Sequence, residues 1–239
     1  MIFLTIASVK KQTLAFLFAG ACVCFCWLSA NAQVRILPYG DSVTSYGSAP
    51  ESSYRYWLFV DLTNAGFQFK QDFVFVGNQY GTQDGTPANS WPAEQFSGGA
   101  GQTSANAKSQ AGSIAKSTQP DIVLLDFGSN DFGNWGLNTT RTNLDTAIEE
   151  IRAVKPNVII LLAKPTPWVD KNARRFMSQL CGTISKVAQD EKKAGANVVV
   201  VNLFGGFNPR KNTKDTMHPN VQGEQKIATK YFQALRRVL

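Results

Sequence analysis

The chain contains a single histidine, His218, standing in "KDTMHPN" with an acid, Asp215, three residues before it. In a turn or a helix start that spacing lets the carboxylate reach one ring nitrogen. The tautomer is then fixed and the other nitrogen is free to act as a base. Such a base needs something to activate, and a hydroxyl is a poor nucleophile until a neighbour takes its proton. Ser42, in "YGDSVT", follows an apolar run that stops abruptly at Gly40-Asp41-Ser42. Taken alone, that tripeptide is explained by a surface turn, because all three residue types favour turns for local backbone reasons. Acyl transfer from a carbonyl attacked by Ser42 would also need donors aimed at the oxygen that becomes negative. Three candidates exist: the backbone N–H of Ser42, the backbone N–H of Gly101 in "GGAGQTS", and the side-chain amide of Asn130 in "GSND". Singly, Gly101 reads as loop filler and Asn130 as a turn residue.

The elements that must position these groups are legible in the hydrophobic pattern. Five short, nearly continuous apolar runs occupy 34–40, 72–78, 121–128, 157–165 and 197–204. Each is bounded by turn residues, which suits strands buried on both faces of a parallel sheet. Stretches of helical length alternate with them at 51–66, 102–118, 138–154, 170–195 and about 220–237. Strict alternation of this kind predicts a doubly wound α/β sandwich. In such a sheet ligands bind beyond the carboxyl ends of the strands. Ser42, Asn130, the segment before His218 and a long irregular segment at 78–101 all fall at those ends. Loops of that length in a compact domain are usually functional or disordered.

The first 32 residues carry a different signal. Lys10 and Lys11 precede a short apolar stretch that ends in Ala30-Asn31-Ala32, the pattern of a secretory signal peptide cut before Gln33. The stretch is shorter than the ~20 apolar residues of a membrane span, so no stable membrane insertion is expected after cleavage. Residues 33–239 then form one domain, secreted or periplasmic. Cleavage removes Cys22, Cys24 and Cys26 and leaves Cys181, expected to be a buried structural thiol in a helix. With one His and one Cys the mature chain offers a poor zinc ligand set, and no metal or other cofactor is expected. The formal charge is +7, but the basic residues lie in scattered pairs such as Arg174-Arg175 and Lys192-Lys193. That distribution describes a solvated surface, with no nucleic acid as partner.

Taken together, "YGDSVT", "GGAGQT", "GSND" and "DTMHP" resemble, in order, the blocks of the SGNH, or GDSL-type, hydrolase superfamily. The resemblance spans 40–219. It implies a three-layer α/β/α sandwich with a five-stranded parallel sheet of flavodoxin-like type. By the same resemblance Ser42 is the nucleophile, His218 the base and Asp215 its orienting acid, while Ser42, Gly101 and Asn130 form the oxyanion hole. The glycine block is the loosest match, with Gly98 and Gly99 as alternatives to Gly101, and Val43 replaces the commoner Leu or Ile. Asp41 is read as holding the turn.

"RILPYGDSVTSYG", "SYRYWLFVDLTNAG", "FVFVGNQYG" and "GGAGQTSANA" are similar to the carbohydrate-esterase branch that includes acetylxylan esterases. That implies a serine esterase removing acetyl groups from a sugar or polysaccharide. Trp91, Trp135 and Trp168 lie near the expected mouth, where indoles would stack on sugar faces; the alternative is that they cap the sheet edge. Two rival readings stand beside this one. A lysophospholipase or thioesterase of the same fold would need an apolar groove, for which Phe96, Phe132 and Phe207 are the available residues. A non-catalytic glycan-binding surface protein would be expected to have lost part of the Ser-Asp-His set. The sequence does not set the oligomeric state.

Overall fold

A computed structural model describes residues 33–47, 53–83 and 95–239. The leader and Trp91 lie outside the described residues. Six strands form one sheet, and every pairing in it is parallel: β1 (Val34–Gly40), β2 (Phe73–Phe75), β3 (Ser97–Gly98), β4 (Ile122–Asp126), β5 (Ile159–Lys164) and β6 (Asn197–Asn202). The order is β2-β1-β4-β5-β6, with β3 also paired to β1. β2 pairs with Val34–Ile36, whereas β3 pairs with Tyr39 and Gly40. These two strands therefore share one edge of β1 in succession, and the sheet is five columns wide, as the five apolar runs predict. The additional strand comes from the 78–101 segment expected to be irregular. Its two residues are Ser and Gly, which carry no apolar signal to betray them.

The strands are buried on both faces because their side chains alternate between two cores. Leu37, Tyr39, Val123, Leu125, Ile160 and Leu162 face one core. It is completed by α3 (Ser104–Thr118), α4 (Leu137–Val154) and α5 (Lys171–Lys193). Ile36, Ile122, Leu124, Leu161 and Ala163 face the other, closed by α2 (Tyr54–Asn64) and α7 (Val221–Leu235). A charge placed at Leu124 or Leu125 would meet no water on its face, and an unpaired buried charge is strongly disfavoured. Helix starts carry side-chain caps: Ser53 accepts from Arg55 N–H, Asp170 from Ala173 N–H and Asn220 from Gly223 N–H. Cys181 is half-buried rather than buried, since it lies on the flank of α5. Burial still pushes its thiol pKa up.

The chain leaves β1 towards β2 on one side and later returns to place β4 on the other. The strand order thus reverses between β1 and β4, and a crevice opens beyond their carboxyl ends.

Candidate active site

β1 ends at Gly40, and the chain turns at once into the short α1 (Ser42–Ser45). A Cβ on Gly40 would stand 2.3 Å from Thr44 Oγ1 and 2.8 Å from the carbonyl of Asp126, so a side chain there would prevent the turn. Asp41 caps α1 by accepting from Val43 N–H at 2.9 Å. Its Oδ2 accepts from the Ser129 hydroxyl and, at 3.4 Å, from Asn130 Nδ2. One buried carboxylate therefore joins the turn that carries Ser42 to the loop that carries Asn130. Burial raises the Asp41 pKa to about 6, against the opposing pull of the Ser129 and Val43 hydrogen bonds.

His218 is brought to Ser42 from the far end of the chain. The pairing partners Thr213 and Pro219 close a tight excursion, and Lys214 N–H donates to His218 O at 2.9 Å. His218 Nε2 lies 3.0 Å from Ser42 Oγ, and Nδ1 lies 2.6 Å from Asp215 Oδ2. The other Asp215 oxygen accepts from the backbone N–H of His218 at 2.7 Å and of Met217 at 3.3 Å. Partial burial pushes the Asp215 pKa up, but the side-chain and backbone bonds to His218 outweigh it, and the net direction is down. Asp215 is thus kept ionised against Nδ1–H, which leaves Nε2 facing the hydroxyl. Thr216, between them, has φ +79, a left-handed conformation that a β-branched residue adopts only when its surroundings impose it. The Tyr46 ring packs against the imidazole with centroids 4.8 Å apart. Neither Thr216 nor Tyr46 had a signal in the sequence.

The glycine loop runs alongside. Gly98 has φ +96, and a Cβ there would stand 2.0 Å from Gly40 O, so glycine is obligatory. Gly99 N–H donates to Gly40 O at 3.0 Å and Ala100 N–H to Gln83 Oε1 at 2.9 Å, whereas Gly101 makes no such bond among the described residues. Within the Gly98–Gly101 loop, Gly101 is thus the residue after Gly98 whose N–H makes no hydrogen bond to the described residues. Ser42 N–H is likewise the first of its helix and has no intrahelical acceptor. Asn130 lies in the 3₁₀ turn Ser129–Asp131, and its amide donates to Gln102 O at 3.0 Å. Its next neighbour, Asp131, fixes that turn by accepting from Ser104 N–H at 2.9 Å and from Thr140 Oγ1 at 2.6 Å. Asp131 carries no local sequence signal, because Ser104 and Thr140 reach it from other helices.

The aromatic candidates divide. Trp135 is 45% exposed. Trp168 is half-buried, edge-on to Phe132 with centroids 6.3 Å apart. Phe96 is fully buried with the Arg55 guanidinium 4.2 Å above its ring, and Phe207 belongs to the core. Two of the three phenylalanines that a long acyl groove would need are therefore unavailable to one. Among the described residues no group of His, Cys, Asp and Glu is gathered to hold a metal ion.

A parallel α/β sandwich with these four sequence blocks meeting at its switch point has the architecture of an SGNH hydrolase. The chain belongs to the GDSL-like lipase/acylhydrolase family, whose pattern matches residues 39–226; these are carboxylic ester hydrolases. A multidomain esterase of Ruminococcus flavefaciens is 26% identical over 88% of this chain, which spans only 29% of that relative's length. The family 3 carbohydrate esterase of Clostridium thermocellum is 29% identical with a TM-score of 0.72, covering 86% of this chain and 98% of that one. A carbohydrate esterase family 3 structure from Talaromyces cellulolyticus covers the same shares with a TM-score of 0.75; at 22% identity that likeness concerns the fold.

Proposed function

We propose that the protein is an exported serine esterase that removes acetyl groups from a sugar or polysaccharide. The observation that carries the catalytic part is the relay from Asp215 through His218 to Ser42, with contacts of 2.6 and 3.0 Å. Ser42 Oγ attacks the ester carbonyl while His218 Nε2 takes its proton. The carbonyl oxygen, now negative, receives the N–H groups of Ser42 and Gly101 and the Asn130 amide proton that otherwise makes the long 3.4 Å bond to Asp41. His218 returns the proton to the departing sugar hydroxyl as the carbon–oxygen bond breaks, and the acyl group stays on Ser42. Water activated by the same nitrogen then releases acetate and restores the hydroxyl. Asp215 holds the imidazole and balances its charge throughout.

A short acyl group is favoured because Phe96 and Phe207 are spent in the core. A sugar is favoured by the exposed indole of Trp135 and by the relatives, whose names describe carbohydrate esterases. Export rests on the leader pattern; among the described residues no helix is long and apolar enough to cross a membrane. The test compares kcat/KM for acetyl, butyryl and octanoyl esters of one leaving group with acetate release from acetylated xylan. Activity should fall steeply as the acyl chain lengthens, with acetate released from the polymer. A rise towards octanoyl with no acetate released would favour the lysophospholipase-like reading.

A further inference from the structure

Two glutamines that enter none of the steps above, Gln79 and Gln83, form a brace along the glycine loop. The backbones of Gln79 and Phe96 exchange hydrogen bonds of 3.0 and 3.2 Å, which sets Gln79 beside the approach to β3. The Gln79 side-chain amide donates to Gly98 O, and its carbonyl accepts from Gln83 Nε2. Gln83 Oε1 accepts from Ala100 N–H at 2.9 Å, and Gln83 N–H donates to Ser45 O at 2.9 Å. A continuous series of amides thus runs from Gly98 to Ala100 and on to the last residue of the helix that Ser42 begins. Neither amide can flip. Gly98 O only accepts and Ala100 N–H only donates, so both orientations are fixed from the ends. A Cβ on Gly99 would stand 2.7 Å from Gln83 Oε1, so a side chain there would push Gln83 out of the series.

We propose that Gln79 and Gln83 are positioning residues that hold the Gly98–Gly101 loop so that Gly101 N–H meets the oxygen developing at Ser42. The proposal deepens the esterase reading and rests on it. The loop needs such a brace because glycines are conformationally permissive, and beyond β3 it has no regular structure of its own. The brace lies partly in water, so losing it should disturb the loop's aim far more than the global fold.

The experiment measures kcat, KM and Tm on an aryl acetate, and the rate at which an organophosphonate labels Ser42. It is run on wild type, Gln79→Ala, Gln83→Ala, the double variant, Gln83→Glu and Gln79→Glu, with Asn130→Ala alongside. Each alanine variant should lower kcat about tenfold, less than the ~10²–10³ of deleting a donor outright. KM should stay within about twofold, as expected for an effect confined to the transition state, and Tm should be retained. The double variant should fall no further than the worse single one, because the two side chains act as a unit. Gln83→Glu should recover part of the rate: a carboxylate still accepts from Ala100 N–H, but it can no longer donate to the Gln79 carbonyl. Gln79→Glu, which cannot donate to Gly98 O, should not. Wild-type kcat in both alanine variants, or kcat and Tm falling together with no recovery by Gln83→Glu, would overturn the proposal. If wild type is not labelled at Ser42 and Asn130→Ala is fully active, the catalytic reading fails first and takes the proposal with it.

Discussion

Asn130→Ala separates a catalytic amide from a structural one because its two costs differ in size. The amide makes one good bond, to Gln102 O at 3.0 Å, and one long one, to Asp41 Oδ2 at 3.4 Å. Deleting it leaves Asp41 with the Val43 N–H and Ser129 hydroxyl bonds, and the half-buried Gln102 carbonyl can turn to water. The stability loss should be about 1 kcal/mol, the net worth of an ordinary hydrogen bond. In a domain of this size that lowers Tm by only about 2–4 °C. Removing an oxyanion donor costs about 10²–10³ in kcat, or ~3–4 kcal/mol at the transition state. The rate should therefore fall much further than stability can explain, with KM little changed. The assay is steady-state hydrolysis of an aryl acetate with thermal melting on the same preparations. Asn130→Asp is the companion variant. It keeps the size but loses the donor and sets a second carboxylate near Asp41, so it should lose both rate and stability. A change in KM alone, or a kcat within threefold of wild type, would refute the assignment and make Asn130 a substrate-binding or structural residue.

The relay predicts unequal losses at its two ends. His218→Ala should abolish nearly all turnover because no second histidine can substitute, whereas Asp215→Ala should retain more, since water can partly orient the ring; single-turnover assays decide, and near wild-type activity in His218→Ala would end the relay reading. Asp126 gives a stability test. Its pKa is raised well above the ordinary value, first by burial and then by the charge of Asp41. As pH rises past the unfolded-chain value of about 3.9, the unfolded chain releases this proton while the folded one keeps it, so stability declines with pH. Asp126→Asn should therefore melt like wild type near pH 4 and become the more stable protein by about pH 8. Parallel melting curves across that range would contradict it.

Much of the fold could be read from the chain because its strands are buried twice over. Runs such as "IVLLD", buried at every position, stand out without any need for alternation. β3 was hidden for the opposite reason: its pairing uses only backbone, so Ser97 and Gly98 needed no apolar character. The site divides in the same way. Ser42, Asn130, Asp215 and His218 could be picked out because each stands in a short block of distinctive residue types, and the structure brings Ser42, His218 and Asp215 within hydrogen-bond distance. Asp131, Tyr46 and the Gln79–Gln83 pair were not, since what they do depends on who their neighbours are. Ser104 and Thr140 define Asp131 from 27 and 9 residues away. The phenylalanines show the converse failure. Phe96 and Phe207 suited a groove by type, and only packing revealed that the core had claimed them.

The two buried acids behind Ser42 explain why the turn carries Asp and not the isosteric Asn. Asp41 and Asp126 flank the same backbone step, with Asp41 N–H donating to Asp126 O at 3.3 Å. Both charges cannot be held together in so dry a place. Asp41 has the means to ionise first, because it accepts from the Val43 N–H and the Ser129 hydroxyl, whereas Asp126 Oδ2 has no partner among the described residues. An ionised Asp41 offers only acceptors, so each of its oxygens can take the donors that converge on it. An asparagine would turn an N–H₂ towards either the Val43 N–H or the Ser129 and Asn130 donors, leaving two donors face to face. The carboxylate thus fixes the direction of every bond across the crevice between β1 and β4. The protonated Asp126 beneath it is the consequence: the second acid must stay neutral for the first to keep its charge.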